Sequence, residues 1–364
     1  MQESYIQVMP ARHGDAFILH CSKNENKGII AIDGGPYPNP RFNPFIKEIE
    51  NHLPIDLMVA THFDDDYLVG IKRFIENHRN DNPFPVKRIW ANCAKHISFD
   101  LSEDLSSKKA SRMADVLWRI SQSSQLDWED YRLNGFVDKT ISFADIEVIN
   151  PRIDIFEHFI ASYKEEYGCG YTEENLSNKK DKESDVNVDM HELANRPKAP
   201  GNMDKPSELI NMVSLSMLIC CDAFSLLALG DSFPQEIYKS LVERGYSKIN
   251  KLHVDYVKMP HHGSAENISN ELLDIIDCDN YIITTDGSEG YKHPHREALA
   301  NVLCHPERDY DRVVRFYFNY PLETIEKNRE EALFNAKLDN NLNFECHESQ
   351  ETDRFLILPK FNNP

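Results

Sequence analysis

Residues 56–61, Asp-Leu-Met-Val-Ala-Thr, form a short apolar run that ends directly on His62-Phe63-Asp64-Asp65-Asp66. This junction constrains the fold more than any other stretch. A run of four to eight apolar residues stopped by polar residues reads as a buried strand. Beyond it, Leu68, Ile71, Phe74, Ile75 and His78 recur at helical spacing. The acidic cluster therefore falls where the C-terminal end of a strand feeds a helix. Carboxylates are favourable in a first helical turn because its amide groups are exposed. Strand C-terminal ends are also where α/β sheets carry their sites.

The same event recurs along the chain. Residues 212–221 and 224–230 read as two strands joined near Asp222, the second ending on Gly230-Asp231-Ser232. A strand over 253–259 ends on Pro260-His261-His262-Gly263-Ser264, and one over 281–285 on Asp286-Gly287-Ser288. His293-Pro294-His295 precedes a helix running to about Cys304. Further strands are expected over 5–9, 16–20, 28–32 and 86–92, and helices over 42–52, about 108–125 and 234–244. Residues 141–150 read as a hairpin-like pair, and strand-like segments continue past Asp311. No repeat of 20–50 residues is present.

Two halves, each with strands and helices, imply an α/β chain folded as a four-layer αββα sandwich. The division expected is a main domain over 1–304 and a C-terminal β extension over 305–364 that packs on or beside it. A polar segment, about 164–208, has little to build a core with and reads as an insertion or mobile loop.

The charge balance, 40 Lys and Arg against 60 Asp and Glu, gives −20. That field repels phosphate backbones on average and excludes broad coating of DNA, although a bound metal inverts the field locally. Eight cysteines without a C-x-x-C pair read as the reduced thiols of a cytoplasmic protein. The first residues lack the pattern of a signal peptide. The most apolar stretch, 212–229, is interrupted by Asp222 and suits two strands better than a membrane span.

His62/Asp64/Asp66, Asp231, His261/His262 and His293/His295 carry the chemistry. Imidazole with carboxylate suits Zn, Mn or Fe rather than soft thiolate metals. His62, Asp64 and Asp66 alternate, so an extended loop points all three one way. Asp231, alone at a strand end, is placed to bridge two ions, and a two-ion site can activate water and clamp a phosphoryl or acyl oxygen. Taken singly, each motif is a solvated helix start, a turn or a loop. Their order, each after a strand, favours a metal.

In this order the chain resembles the metallo-β-lactamase superfamily, and within it the ComEC-type competence nuclease branch. The resemblance covers about residues 1–304 apart from the insertion. It rests on His13-Gly14-Asp15-Ala16-Phe17, the turn 32–35 (Ile-Asp-Gly-Gly), Thr61 through Tyr67, Asn211 through Leu215 with Gly230-Asp231, Lys258 through Ser264, and His293-Pro294-His295. It implies that His62 and Asp64 bind a first metal, Asp66 and His261 or His262 a second, and that Asp231 bridges. Zn or Mn, as one or two ions, is the implied cofactor. His293 or His262 would give a proton to the leaving oxygen, so that Asp66, Asp231, His262 and His293 form the catalytic group. The implied reaction is hydrolysis of a phosphodiester bond in nucleic acid or a nucleotide by a metal-bound hydroxide.

Two departures stand out. The signature's last histidine is Tyr67, and a histidine many members carry is Asn211, as is usual in this branch. A weakened two-ion site, a one-ion site and a metal-free protein all remain open. So does a second class of function, a catalytically weak regulatory or scaffold subunit that binds a partner protein; relatives without membrane spans commonly sit beside a partner enzyme in bacterial defence loci. No G-x-S-x-G or dinucleotide fingerprint is present. Trp90, Trp118 and Trp128 are candidates for base stacking, or for the core.

Overall fold

The computed structural model describes residues 4–36, 43–61, 64–92, 127–129, 132–166, 184–288, 292–339, 341–350 and 355–358. The first sheet takes β1 (Tyr5–Val8), β2 (Phe17–Lys23), β3 (Asn26–Ile32), β4 (Ile55–Ala60), β5 (Val86–Ala91) and β6 (Asp127–Glu129) in chain order, and β17 (Leu356–Leu358) lies outside β1. β17 through β3 pair antiparallel, and β3 through β6 parallel.

The second sheet runs in space from β7 (Val137–Asp138) through β8 (Asp145–Asn150), β9 (Ser216–Cys220), β10 (Ser225–Ala228), β12 (Tyr256–Lys258), β14 (Asn280–Ile283) and β15 (Val314–Phe318) to β16 (Phe344–Glu348). Its last five strands are parallel. A separate two-stranded piece pairs β11 (Leu252–His253) with β13 (Ile276–Asp277).

Side-chain alternation sorts these strands into layers. Ile6, Val8, Phe17, Leu19, Leu57, Val59 and Trp90 face Ile146, Val148, Met217, Ile219, Leu226, Tyr256 and Ile282 across the gap between the sheets. The intervening residues of the first sheet, Ile18, Ala31, Met58, Ala60 and Ile89, turn outward onto Phe45, Ile49, Ile71, Phe74 and Ile75. These belong to α1 (Pro44–Ile49) and α2 (Asp65–His78), which cover that face with α3 (Ile153–Glu166). Leu227, Val257, Tyr281, Ile283, Phe316 and Phe318 turn outward from the second sheet. They meet α4 (Met190–Ala194), α6 (Pro234–Glu243), α7 (Asn270–Asp274), α8 (Arg296–Leu303) and α9 (Leu322–Arg329); α5 (Pro206–Met212) packs on the other side, against the first sheet's helices. The layering is αββα, as expected from sequence.

Some boundaries differ. The hairpin pairs Val137 with Glu147 and Asp138 with Ile146, so its first arm lies before residue 141. The strand expected over 253–259 is two, because residues 254–255 join the small sheet to the large one. Within 164–208, α4 buries Met190, Leu193 and Ala194 against the cluster around α8, so this part contributes core. Residues past 305 supply strands to both sheets. The helix expected over 108–125 and Trp118 lie outside the described residues. Trp90 and Trp128 are buried and hydrogen-bonded, to Glu129 and to the Ala91 carbonyl, and so belong to the core. No helix among the described residues is long and apolar enough to cross a membrane.

Candidate functional site

The expected polar residues gather at one edge, beyond the C-terminal ends of parallel strands β4, β10, β12 and β14 and beside the β1–β2 loop. The turn after β3 explains why the acidic loop begins where it does. Asp33 accepts from the Thr61 amide at 2.8 Å and its hydroxyl at 2.6 Å, tying the end of β3 to the end of β4. The Gly34 amide donates to the Tyr67 carbonyl, and the Gly70 amide to the Gly35 carbonyl, each within 3 Å, fixing the first turns of α2. From the other side, a Cβ on Gly14 would stand 1.9 Å from the Asp66 carbonyl oxygen, so only glycine allows the β1–β2 loop this approach.

His62 and Phe63 lie outside the described residues. Asp64 stands at the N-cap position of α2 without a side-chain capping bond and is exposed; Asp66 is half-buried, and Asp231 buried. Burial, then the charges of Asp64 and Asp231, outweigh the nearby His262 and raise the Asp66 carboxyl. Three carboxylates crowding one edge are held apart only at a cost that a cation would relieve.

His261 and His262 both have positive φ, at 48° and 54°, a conformation that non-glycine residues adopt rarely and that clusters at functional sites. The hydrogen bonds fix the protons of both rings. Asn267 gives its Nδ2 to the carbonyls of Asp231 and Ser232, so its Oδ1 faces His261 Nδ1 at 3.1 Å and must accept. In the neutral ring that bond puts the lone pair on His261 Nε2, which lies 3.8 Å from Asp231 Oδ2, too far for a hydrogen bond. An imidazole with Nδ1 locked on a carbonyl and Nε2 open is the arrangement that metal-binding histidines use.

His262 differs. Its Nδ1 lies 2.7 Å from the Thr284 carbonyl, which can only accept. Its Nε2 is 3.0 Å from the Tyr67 hydroxyl, whose single proton goes to Asp231 Oδ1. Nε2 must then donate as well, and the ring is an imidazolium. Burial opposes that charge, but Asp15 and Asp66 beside it push the pKa up to about 10. Burial first, and the Asp231 charge next, hold the Tyr67 phenol well above its ordinary value, so it stays protonated.

His293 is buried, with its ring centroid 5.0 Å from that of His261, and burial followed by the neighbouring histidines keeps it neutral. His295 accepts the Ala265 amide at Nδ1, which leaves its own proton on Nε2 when neutral. Sequence reasoning named Asp15 and Lys258 only as members of the motifs 13–17 and 258–264 and gave them no role in supporting this cluster. Lys258 and Asp15 form an ion pair with both side chains 2% exposed, and Thr284 donates to the same Asp15. The available signal was the anomaly of a lysine in the apolar run of β12 and an aspartate at the head of the apolar run 15–19.

Among the described residues no three His, Cys, Asp or Glu side chains converge on one point to hold a metal. The donors come as pairs, Asp231 with His261 and Asp66 with His262. The first fits a metal in donor chemistry, tautomer and access, since His261 is 30% exposed; two donors leave the rest of a coordination shell to other groups. In the second pair His262 Nε2 is already engaged by the Tyr67 hydroxyl, which also donates to Asp231 Oδ1.

No family model and no curated relative matches the chain. Among solved structures it is similar to the CmlA β-hydroxylase E377D mutant, at 12% identity and a TM-score of 0.41, over 98% of this chain and 54% of that one. The chain thus spans about half the length of that protein. It is also similar to the metallo-β-lactamase fold protein YhfI from Bacillus subtilis, at 6% identity and a TM-score of 0.40, covering 98% and 100%. A third is Zn(2+)-bound PqqB from Methylobacterium extorquens, at 10% identity and a TM-score of 0.41, covering 95% and 87%. Likenesses this loose leave the αββα layering to stand on the chain's own two sheets.

Proposed function

We propose that the protein is a metal-dependent hydrolase of the metallo-β-lactamase type, acting on phosphodiester bonds of nucleic acid or nucleotides with Zn or Mn. The observation that carries the metal reading is the His261–Asp231 pair: a locked tautomer, an open Nε2 and a carboxylate oxygen facing it. The choice of phosphodiester, and of the ComEC-type branch, rests on the sequence motifs alone.

When bound, the ion would supply Lewis acidity toward the scissile oxygen and acidify a water. The chain's own residues do the rest. Asp231 and His261 would hold the ion, and Asp64 and His62 would be further donors. The His262 imidazolium places fixed positive charge where an oxyanion develops, and the Lys258–Asp15 pair beneath keeps its ring oriented. A group with a pKa near 10 is a better electrostatic stabiliser than proton donor at neutral pH. Neutral His293, beside His261, can accept a proton but holds none to give a leaving oxygen.

The second reading, a catalytically weak subunit docked to a partner protein, is favoured by one observation, the Tyr67 hydroxyl set among the ligand-type groups. Both are tested by metal analysis of protein purified without chelator, with hydrolysis of bis-(p-nitrophenyl) phosphate, DNA and RNA, beside Asp231→Ala. The hydrolase reading expects close to one equivalent of Zn or Mn, lost together with activity in Asp231→Ala. Less than about a tenth of an equivalent in the parent protein sinks it; bound metal without cleavage favours the subunit.

A further inference from the structure

We infer that the Tyr67 hydroxyl fills the place that a second ion would need, so that the centre holds one ion, on the Asp231–His261 side. The inference rests on the metal reading above and concerns the number of ions.

On the His262 side the ligand-type atoms facing the Tyr67 hydroxyl are Asp231 Oδ1 and His262 Nε2, a pair, with Asp66 Oδ2 3.5 Å from that nitrogen. The Tyr67 oxygen hydrogen-bonds to Asp231 Oδ1 and stands 3.0 Å from Nε2. An ion bound by a carboxylate oxygen and an imidazole nitrogen lies about 2.0–2.2 Å from each. An oxygen already within hydrogen-bonding distance of both occupies that volume.

The phenol has no room to swing aside. Its residue is 0% exposed, and its ring lies 5.5 Å from the His262 ring and 5.9 Å from Lys258 Nζ, centroid distances both. Its backbone is pinned at both ends, the amide to the Asp64 carbonyl and the carbonyl to the Gly34 amide. The two oxygens of Asp231 are thus divided: Oδ1 serves the phenol, and Oδ2 faces His261, which is reached from solvent.

The test counts metal. Parent protein, Tyr67→Phe and Tyr67→His are stripped with chelator, dialysed against excess Zn(II) or Mn(II), desalted and analysed for bound metal. Circular dichroism on each verifies the fold, and Tyr67→Phe keeps the ring so that packing survives. The parent is expected to hold one equivalent. Tyr67→Phe, which empties the place, and Tyr67→His, which adds a donor, are expected to approach two, with spin-coupled Mn(II) signals. Two equivalents in the parent overturn the inference and leave the hydrolase reading standing. One equivalent in all three folded chains overturns it too. No metal in any of them overturns the metal reading, and this inference with it.

Discussion

Replacing Lys258 with Met tests whether the foundation of the site is electrostatic. Lys258 and Asp15 are each 2% exposed at the side chain and face one another across the two sheets. Removing one member of a buried ion pair leaves an uncompensated charge and costs about 3–5 kcal/mol. At about 2.1 cal/mol/K per residue, the unfolding entropy of a 364-residue chain is roughly 0.76 kcal/mol/K. The melting temperature should therefore fall by about 4–7 °C. Calorimetry on chelator-treated protein measures it. The pH dependence has a definite sign. Burial pushes the Asp15 carboxyl up, but Lys258 and then His262 hold it below its ordinary value. Such a group contributes stability above its unfolded pKa, and that stability is lost as the pH falls through the folded value. The gap between parent and Lys258→Met should then be widest at neutral pH and narrow below about pH 4. The double change Lys258→Met with Asp15→Leu should recover part of the loss, since Asp66 still faces the His262 imidazolium when Asp15 is gone. A single variant melting within about 1 °C of the parent, or a gap that does not change with pH, refutes the reasoning.

Two other perturbations follow from the same geometry. Asn267→Ala removes the acceptor that fixes the His261 tautomer, so metal affinity measured by titration should fall roughly 10–100-fold; an unchanged affinity would show that His261 is not a ligand. Away from the site, the hydrogen bond from Cys21, against burial, lowers the Cys221 thiol to about 6, while burial raises its neighbour Cys220 to about 11. Alkylation of Cys221 by iodoacetamide, followed by peptide mass spectrometry, should rise through about pH 6, and in Cys21→Ala only at higher pH. A midpoint that ignores Cys21 rejects the pairing.

The layers were legible because the strands alternate cleanly: Ile18, Ala31 and Met58 go one way, and Phe17, Leu19 and Leu57 the other. The convergence of His261, His262, Asp231 and Asp66 was legible because each lies just beyond a strand. The Asp15–Lys258 pair was not. Its members stand at strand ends in different sheets, and no local period encodes which strand of one sheet faces which of the other. Tyr67 was flagged by type, but the groups its hydroxyl meets are set by how deeply α2 packs on the turn after β3. The short helix α4 was hidden by composition, since Met190, Leu193 and Ala194 are a few apolar residues in a polar window. What they bury depends on α8, about a hundred residues later.

The strand β17 closes the edge of the first sheet beside β1, with Ile6 opposite Leu358. Two segments separated by nearly the whole chain thus become neighbours, and loop closure of that length is slow. During synthesis the hydrogen-bonding edge of β1 stays open until residues 356–358 have left the ribosome. Until then it is a template for pairing with another nascent chain. Truncation before residue 356 would make that exposure permanent, so solubility on expression should depend on three residues that touch none of the chemistry.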